Sequence, residues 1–187
     1  MDAYKLKQTQ LQAEIFRFLS IKAGQRFSTR GIANELGVTP TAISNSLPSL
    51  EKSGLIKIER HKTINLLSIE FNRDNQKAIE LKRAENLKLI YESGLVEFLE
   101  DKYTSCTIIL FGSYSRGEDV WSEESKEKKS DIDIAIIGAK EKKVNLTKFE
   151  KFLERVIFIN YYSSWKIDKH LKNNILNGIV LKGSVEL

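Results

Sequence analysis

The chain has 187 residues, of which 41% are hydrophobic and 29% charged, with a formal net charge of +5 at pH 7. These proportions are typical of a globular protein of one domain or two small ones, and no apolar run approaches the roughly 20 residues of a membrane-spanning helix, which excludes a membrane protein. The polar start lacks the apolar core of a signal peptide, and the single cysteine, Cys106, cannot form an intramolecular disulfide. We therefore expect a cytoplasmic protein.

The positive charge is concentrated near the start of the chain. Residues 1–70 carry ten Lys and Arg against six Asp and Glu, an excess of +4, whereas the remaining residues contribute only +1. Such an excess suits a polyanionic partner, and it is equally compatible with a basic surface that has no such partner.

Apolar spacing and capping signals predict three helices in the N-terminal third. The first has one apolar face, made by Leu11, Ile15, Phe18 and Leu19. Ser28 is the expected N-cap of the second helix, which Gly37 ends, and Thr39 with Pro40 starts the third. Residues of the third helix that do not face the core are predicted to turn outward, namely Thr41, Ala42, Asn45 and Ser46.

A β-hairpin is predicted to follow the third helix. Ile56 and Ile58 alternate with charged residues, the turn is predicted at Arg60-His61-Lys62, and the returning strand holds Ile64, Leu66 and Ile69. Three helices and a hairpin within residues 1–71, together with the segments 32–40 and 50–56, resemble the winged helix-turn-helix family. Pro48, inside the third helix, departs from the family's pattern and should bend that helix.

The winged-helix resemblance implies double-stranded DNA as a partner. The third helix would enter the major groove with Thr39, Thr41 and Asn45 as contacts to bases or phosphates, while Arg60 and Lys62 of the wing would meet the phosphate backbone. Winged helices also serve as protein-docking or dimerisation modules, so a protein partner or a homodimer is the alternative.

Residues 72–94 are predicted to form a connecting helix that ends at Ser93-Gly94. Its apolar positions recur near helical spacing at Leu81, Ala84, Leu87 and Tyr91. The many Lys, Arg and Glu residues between them indicate a solvated face. A short helix beginning at Leu95 is predicted next.

The segment Leu110-Phe-Gly-Ser-Tyr-Ser-Arg-Gly117 ends a short apolar run that predicts a buried strand over 107–111. Free backbone N–H groups after Gly112, together with the Ser113 hydroxyl, would suit an anion such as a phosphate. Arg116 either reaches that phosphate or pins the loop by pairing with a carboxylate.

The segment Ser130-Asp-Ile-Asp-Ile-Ala-Ile136 alternates with a period of two. Asp131 and Asp133 share one face of the predicted strand, about 6–7 Å apart, since each residue of a strand rises roughly 3.3 Å. Aspartate is depleted in strands, so two of them on one face favour a divalent cation beside nucleotide phosphates. Two solvated aspartates on an edge strand are the structural alternative.

Together these two segments resemble the DNA polymerase β-like nucleotidyltransferase superfamily, specifically its minimal nucleotidyltransferases, over residues 95–187. The resemblance implies a small mixed-sheet α/β domain, and hence an α+β protein of two domains joined by the connecting helix. It assigns Gly112 and Ser113, with Arg116 as a candidate, to nucleotide binding. Asp131 and Asp133 become the catalytic ligands of Mg²⁺ or Mn²⁺, with an NTP as substrate.

Two departures from the family pattern stand out. The gap between Ser113 and Asp131 holds 17 residues, and its charged part, 118–130, would be a lid or a partner contact. The family's third carboxylate is absent from the strand predicted after the helix 145–155, where Phe158 or Asn160 takes its position. Glu154 and Asp168 are the nearby acids that could substitute. Phe149, Phe152 and Leu153 are predicted to face inward from that helix.

The sequence therefore favours a Mg²⁺-dependent protein that binds an NTP, with ATP expected, and transfers its nucleoside monophosphate to a hydroxyl. By resemblance, the acceptor is a protein partner such as a HEPN-type toxin, which makes the chain antitoxin-like. The alternative is a DNA-binding transcriptional regulator whose nucleotidyltransferase domain is degenerate and only senses nucleotide.

Overall fold

The computed structural model describes residues 8–61, 66–121 and 131–186, and the chain divides into two compact units. One comprises Met1–Lys82 with Val120–Ser122, and the other comprises Arg83–Asp119 with Glu123–Leu187. Within the described ranges, no helix combines the length and the apolar character needed to cross a membrane.

The first unit has the predicted winged-helix order of three helices and a hairpin. These elements are α1 (Gln10–Ile21), α2 (Thr29–Leu36), α3 (Pro40–Lys52), β1 (Ile56–His61) and β2 (Leu66–Phe71), with the two strands antiparallel. Their apolar faces meet in one core that includes Ile15, Leu19, Ile32, Ile43, Leu50 and Ile69. The amphipathic spacing read from the sequence is therefore what closes this unit.

The predicted helix boundaries of the first unit are confirmed by their caps. The hydroxyl oxygen of Ser28 accepts a hydrogen bond from the Gly31 N–H at 3.0 Å, and that of Thr39 accepts one from the Ala42 N–H at 3.2 Å. Gly37 ends α2 in the left-handed conformation, at φ +66°. α3 continues through Pro48 to Lys52.

Two details of the first unit differ from the prediction. Ser46 does not turn outward: it is 8% exposed, and its hydroxyl donates to the Ala42 carbonyl, which satisfies the group inside the helix. Arg60 and His61 belong to β1 rather than to a turn, paired with Leu67 and Leu66. β1 is therefore longer than predicted, and Lys62 and Ile64 lie outside the described residues.

The predicted connecting helix is present as α4, which spans Gln76–Glu92, and the apolar positions noted in its sequence do not form its buried face. Leu81, Ala84 and Tyr91 are exposed. The buried residues lie on another face and include polar side chains, namely Ala78, Lys82, Asn86, Leu89 and Ile90. Hydropathy alone could not reveal a buried face that contains a lysine and an asparagine. The predicted short helix follows as α5 (Leu95–Lys102).

The second unit is built on a four-stranded mixed sheet of order β5-β4-β3-β6, which confirms the predicted α+β class. β3 is antiparallel to β4 and β6, whereas β5 is parallel to β4. The elements after α5 are β3 (Thr107–Phe111), α6 (Gly112–Arg116), β4 (Ile132–Ile137), α7 (Thr147–Leu153), β5 (Ile157–Tyr162), α8 (Lys169–Leu176) and β6 (Ile179–Lys182).

Side chains alternate between the two faces of this sheet, as the period of two predicted. Ile132, Ile134 and Ile136 of β4 are fully buried. On the opposite face, Ala135 and Ile137 join a cluster with residues of β3 and α8, namely Ile109, Phe111 and Ile175. Phe152 of α7 is 51% exposed and does not face inward as predicted, since the helix ends one residue later.

Candidate active site

Strand pairing brings the two predicted motifs together at one end of the sheet. Phe111, the last residue of β3, is paired with Asp133 of β4, so the carboxylate stands beside the turn that starts at Gly112. A Cβ atom on Gly112 would lie 2.6 Å from Asp133 Oδ2, and the φ of Gly112 is +76°. Both the backbone conformation and the close approach therefore require glycine here.

The turn after Gly112 is closed by its own hydrogen bonds. The Ser115 hydroxyl donates to the Gly112 carbonyl at 2.8 Å, and the Glu118 N–H donates to the Ser113 carbonyl at 3.0 Å. Ser113 is half-buried, and its hydroxyl has no hydrogen-bond partner among residues 8–61, 66–121 and 131–186. Phosphate binding by the Ser113 hydroxyl stays a prediction.

Asp131 and Asp133 lie two residues apart at the start of β4, and both are partly shielded from water. Burial raises the pKa of the Asp131 carboxyl above its ordinary value. Burial is also the main cause of the raised pKa of Asp133, and the negative charge of Asp131 adds to it. Since both side chains are oxygen donors and their charges repel, the pair fits a divalent cation.

Arg116 is held by a carboxylate in the described structure. Its Nε lies 2.7 Å from Glu118 Oε2, and its Nη1 lies 3.4 Å from Asn174 Oδ1 of α8. Of the two roles considered for Arg116, this geometry matches the one in which it pins the loop. Nucleotide binding by Arg116 stays a prediction.

No third acid stands beside the pair of aspartates in the part of the chain that the structure describes. Asp133 is paired with Phe158 of β5, and Ala135 is paired with Asn160, so neither strand supplies another carboxylate on that face. The Asp168 carboxylate caps α8 by accepting from two backbone N–H groups. Within the described ranges, no three Asp, Glu, His or Cys side chains form a group suited to a metal ion.

Tyr162, at the end of β5, is a neighbour of the site that the sequence reading missed. Its pKa is raised, first by burial and then by the negative charge of Asp133. Tyr162 packs against the apolar cluster of Phe111 and Ala135. The period of two from Phe158 through Asn160 was the signal that could have placed it on this face.

A buried polar network holds α6 and the residues after it in place. This network was not predicted from the sequence. Asp119 accepts hydrogen bonds from Asn86 Nδ2 at 2.7 Å and from Arg155 Nη2 at 3.0 Å. Asn86 Nδ2 also donates to the Tyr114 carbonyl at 2.9 Å. The Asp119 and Arg155 side chains are each 1% exposed. Asn86 of α4 and Arg155, just after α7, therefore hold α6 and the residues that follow it in place.

In the first unit, the predicted DNA-contacting residues of α3 are exposed: Thr39, Thr41 and Asn45. Arg60 makes a two-pronged ion pair with Glu51 of α3, at 2.9 and 3.2 Å. Glu51 raises the pKa of the Arg60 guanidinium through a hydrogen bond and through its charge. Arg60 thus reaches α3 in the described structure, and Lys62 lies outside it.

Comparison with known proteins identifies the second unit. A family model described as a nucleotidyltransferase domain matches residues 92–182. A Methanocaldococcus jannaschii protein, named as a candidate protein adenylyltransferase, is 36% identical over 90 residues, which are 48% of this chain and 80% of that protein. The residues matched by the family model include Gly112, Ser113, Asp131 and Asp133.

Two solved structures of regulators also resemble the chain. The zinc-responsive MarR family member ZitR of Lactococcus lactis is 22% identical, with a TM-score of 0.40, over 55% of this chain and 68% of its own. The adhesin competence repressor of Streptococcus pyogenes is 17% identical, with a TM-score of 0.41, over 56% of this chain and 72% of its own.

Proposed function

The chain belongs to the nucleotidyltransferase domain family, and from that premise we propose that it transfers the nucleoside monophosphate of an NTP to a hydroxyl group of a protein. ATP is the expected donor, because the relative from M. jannaschii is named for adenylyl transfer. The observation that carries the proposal is the placement of Asp133 directly against Gly112, with Asp131 two residues away.

Asp131 and Asp133 would hold a divalent cation, Mg²⁺ or Mn²⁺. The fit rests on two partly buried carboxylates that lie two residues apart at the start of β4. Burial raises the pKa of both, and at Asp133 the negative charge of Asp131 adds to the effect. When bound, such a cation supplies charge neutralisation for the phosphates of the nucleotide. The protein itself contributes the rigid placement of both carboxylates at the start of β4.

The turn at Gly112 and Ser113 would hold the triphosphate. Glycine leaves room for close approach, and the Ser113 hydroxyl is a donor that faces no competing protein acceptor in the described ranges. In the reaction, the acceptor oxygen forms a bond to the α-phosphorus while the bond from that phosphorus to the bridging oxygen breaks. Pyrophosphate leaves, and the hydroxyl proton passes to water.

A HEPN-type toxin is the first acceptor to test, as the resemblance to minimal nucleotidyltransferases implies. The chain would be incubated with α-labelled ATP, Mg²⁺ and a HEPN-type toxin, and the label on the toxin would be counted. We expect the label to appear, and to be lost when Asp131 and Asp133 are both changed to Asn. Label that persists in this double variant would contradict the proposal.

A second candidate function, DNA binding by the first unit, is favoured by the exposure of Thr39, Thr41 and Asn45 along one end of α3. Contacts to phosphates would make the affinity for duplex DNA fall steeply as the salt concentration rises. A salt titration therefore tests this function, with Asn45→Ala as the variant. A flat response would indicate a protein-docking role for the winged helix.

A further inference from the structure

The sheet of the second unit has two edge strands that differ in how they are protected. β6 is four residues long, its pairing with β3 is irregular at Ile108 and Ile109, and its Lys182 forms an ion pair with Glu100. Short length, irregular pairing and a lysine are the devices by which proteins prevent other chains from pairing with a sheet edge. β6 is therefore a guarded edge.

β5 has none of these devices along its six residues, Ile157–Tyr162, which include no charged residue and no proline. It pairs only with β4 among the described strands. Phe158, the second residue of β5, is 50% exposed. An uncharged edge of this length is an aggregation hazard unless it serves to bind another chain.

The direction of the backbone groups shows which part of β5 is open. The carbonyls of Val156 and Tyr162 accept hydrogen bonds from the N–H groups of Ile132, at the start of β4, and Gly138, directly after its end. The backbone N–H and C=O groups of the even-numbered residues of β5 therefore point toward β4. The odd-numbered residues therefore point to the outer edge. Consistent with this, the outward N–H of Ile157 donates to the Glu150 carboxylate at 3.1 Å.

Beyond Ile157, the outward backbone groups of β5 have no hydrogen-bond partner within the described ranges. The backbone N–H and carbonyl groups of Ile159 and Tyr161 point outward, and no described residue pairs with them. Groups of this kind are satisfied by water or by the backbone of an extended chain. The donors and acceptors of this edge therefore match those of an extended polypeptide segment.

The open edge lies beside the two aspartates. Phe158 of β5 is paired with Asp133 of β4, so a strand added to β5 would run about 10 Å from β4, since neighbouring strands are roughly 4.8 Å apart. Side chains of the added strand would alternate between the faces of the sheet, and every second one would lie on the face that carries Asp133.

We propose that the outer edge of β5 at Ile159 and Tyr161 binds an extended segment of the acceptor protein and presents its hydroxyl side chain on the Asp133 face. This inference rests on the proposed function, and it adds how the acceptor is held. The segment pairs with β5 through backbone hydrogen bonds, and Phe158 contacts its apolar side chains. The transfer step is the one given above, with the acceptor oxygen replacing pyrophosphate on the α-phosphorus.

The test uses the full chain, α-labelled ATP with Mg²⁺, and a library of short randomised peptides that each carry one Tyr, Ser or Thr. We expect a subset to be labelled. In those peptides, N-methylation of alternate backbone amides should lower labelling about tenfold for each lost hydrogen bond, while N-methylation of the intervening amides should not. A response with this period of two supports pairing with β5. Equal sensitivity at all positions would overturn it.

Variants of the chain provide an independent readout. Ile159→Pro removes an outward N–H at an edge position where proline is tolerated, and it should lower peptide labelling about tenfold without changing ATP binding. Ile159→Val keeps the N–H and should behave as wild type. Phe158→Ala should also weaken labelling, whereas Val180→Ala, an exposed apolar residue of the guarded β6 edge, should not.

The outcomes separate this inference from the proposed function. A wild-type chain that neither binds ATP nor labels any peptide overturns both. Labelling by a folded Ile159→Pro chain at the wild-type level overturns only the docking edge. Labelling of the intact acceptor protein but of no peptide also overturns only the docking edge. A concentration-dependent dimer that Ile159→Pro abolishes would assign the edge to self-association and would likewise overturn it.

Discussion

Asp119 and the pair Asp131 and Asp133 belong to the same unit, yet their carboxylates have opposite surroundings. Asp119 is 1% exposed and is matched by Arg155 and Asn86. Asp131 and Asp133 are only partly buried, and no described lysine, arginine or histidine forms an ion pair with them, so burial raises the pKa of both. The first carboxylate is compensated by the protein itself, whereas for the other two we propose compensation by a bound cation.

Buried charge therefore has a different meaning in the two places. A matched buried pair holds the loop after α6 in position, and it contributes to the fold. An unmatched pair at a strand end weakens the apo-protein, and such a weakness is typical of a functional site. Substitutions at the two carboxylate sites should therefore have different effects on stability and on activity.

The largest effect is expected for Asp119→Asn, because it leaves Arg155 buried with no carboxylate partner. Breaking a buried ion pair in this way costs about 3–5 kcal/mol. Urea denaturation would measure the loss of unfolding free energy. Glu118→Gln is the matched control, since it removes an exposed ion pair with Arg116 and should cost less than about 1 kcal/mol. Equal effects of the two changes would contradict the structural role of Asp119.

Gly112→Ala is expected to have the next largest effect. Alanine at φ +76° loses about 1–2 kcal/mol of stability, and its Cβ would displace the Asp133 carboxylate. Gly94→Ala has a nearly equal φ of +73° but no atom within 4 Å of the new Cβ, so it should show the same stability loss. Only Gly112→Ala should also lower transfer activity. Equal activity of the two variants would show that the contact with Asp133 is unimportant.

Asp133→Asn should change stability in the direction opposite to Asp119→Asn. A raised pKa means that the folded state binds the proton more tightly than the unfolded state, so stability falls as pH rises from the ordinary pKa through the raised one. At a pH above both pKa values, Asp133 is charged in both states, and its burial then lowers the stability of the folded state by the full amount. At pH 7 without divalent cations, the Asn variant should therefore melt at a higher temperature than wild type. A lower melting temperature would refute uncompensated charge at Asp133.

The smallest effect concerns the pH dependence of cation binding. Protons compete with the cation for Asp131 and Asp133, and both pKa values are raised, so Mn²⁺ affinity should begin to fall at a higher pH than it would for ordinary carboxyl groups. Titration with Mn²⁺ at a series of pH values would measure this. A decline confined to the range of unperturbed aspartates would contradict it.

Much of the site could be predicted from the sequence, because its signals are local. The strand over 107–111, the turn at Gly112 and the alternation through Asp133 each follow from neighbouring residues. The Asp119–Arg155 pair joins residues 36 apart, and no local pattern encodes it. The buried face of α4 could not be predicted for a related reason, since Lys82 and Asn86 are buried by tertiary contacts that hydropathy does not reveal.

The most direct test of the central claim, that Asp131 and Asp133 together support nucleotidyl transfer without a third described acid, is a transfer assay with α-labelled ATP, Mg²⁺ and the acceptor protein. We predict label on the acceptor from the wild-type chain. Asp133→Asn, whose melting temperature should be no lower than that of wild type, should reduce the label more than about a hundredfold. Loss of a residue that only supports a metal ligand costs roughly 10–100-fold, and loss of a direct ligand should cost more. Undiminished transfer by Asp133→Asn would contradict the account.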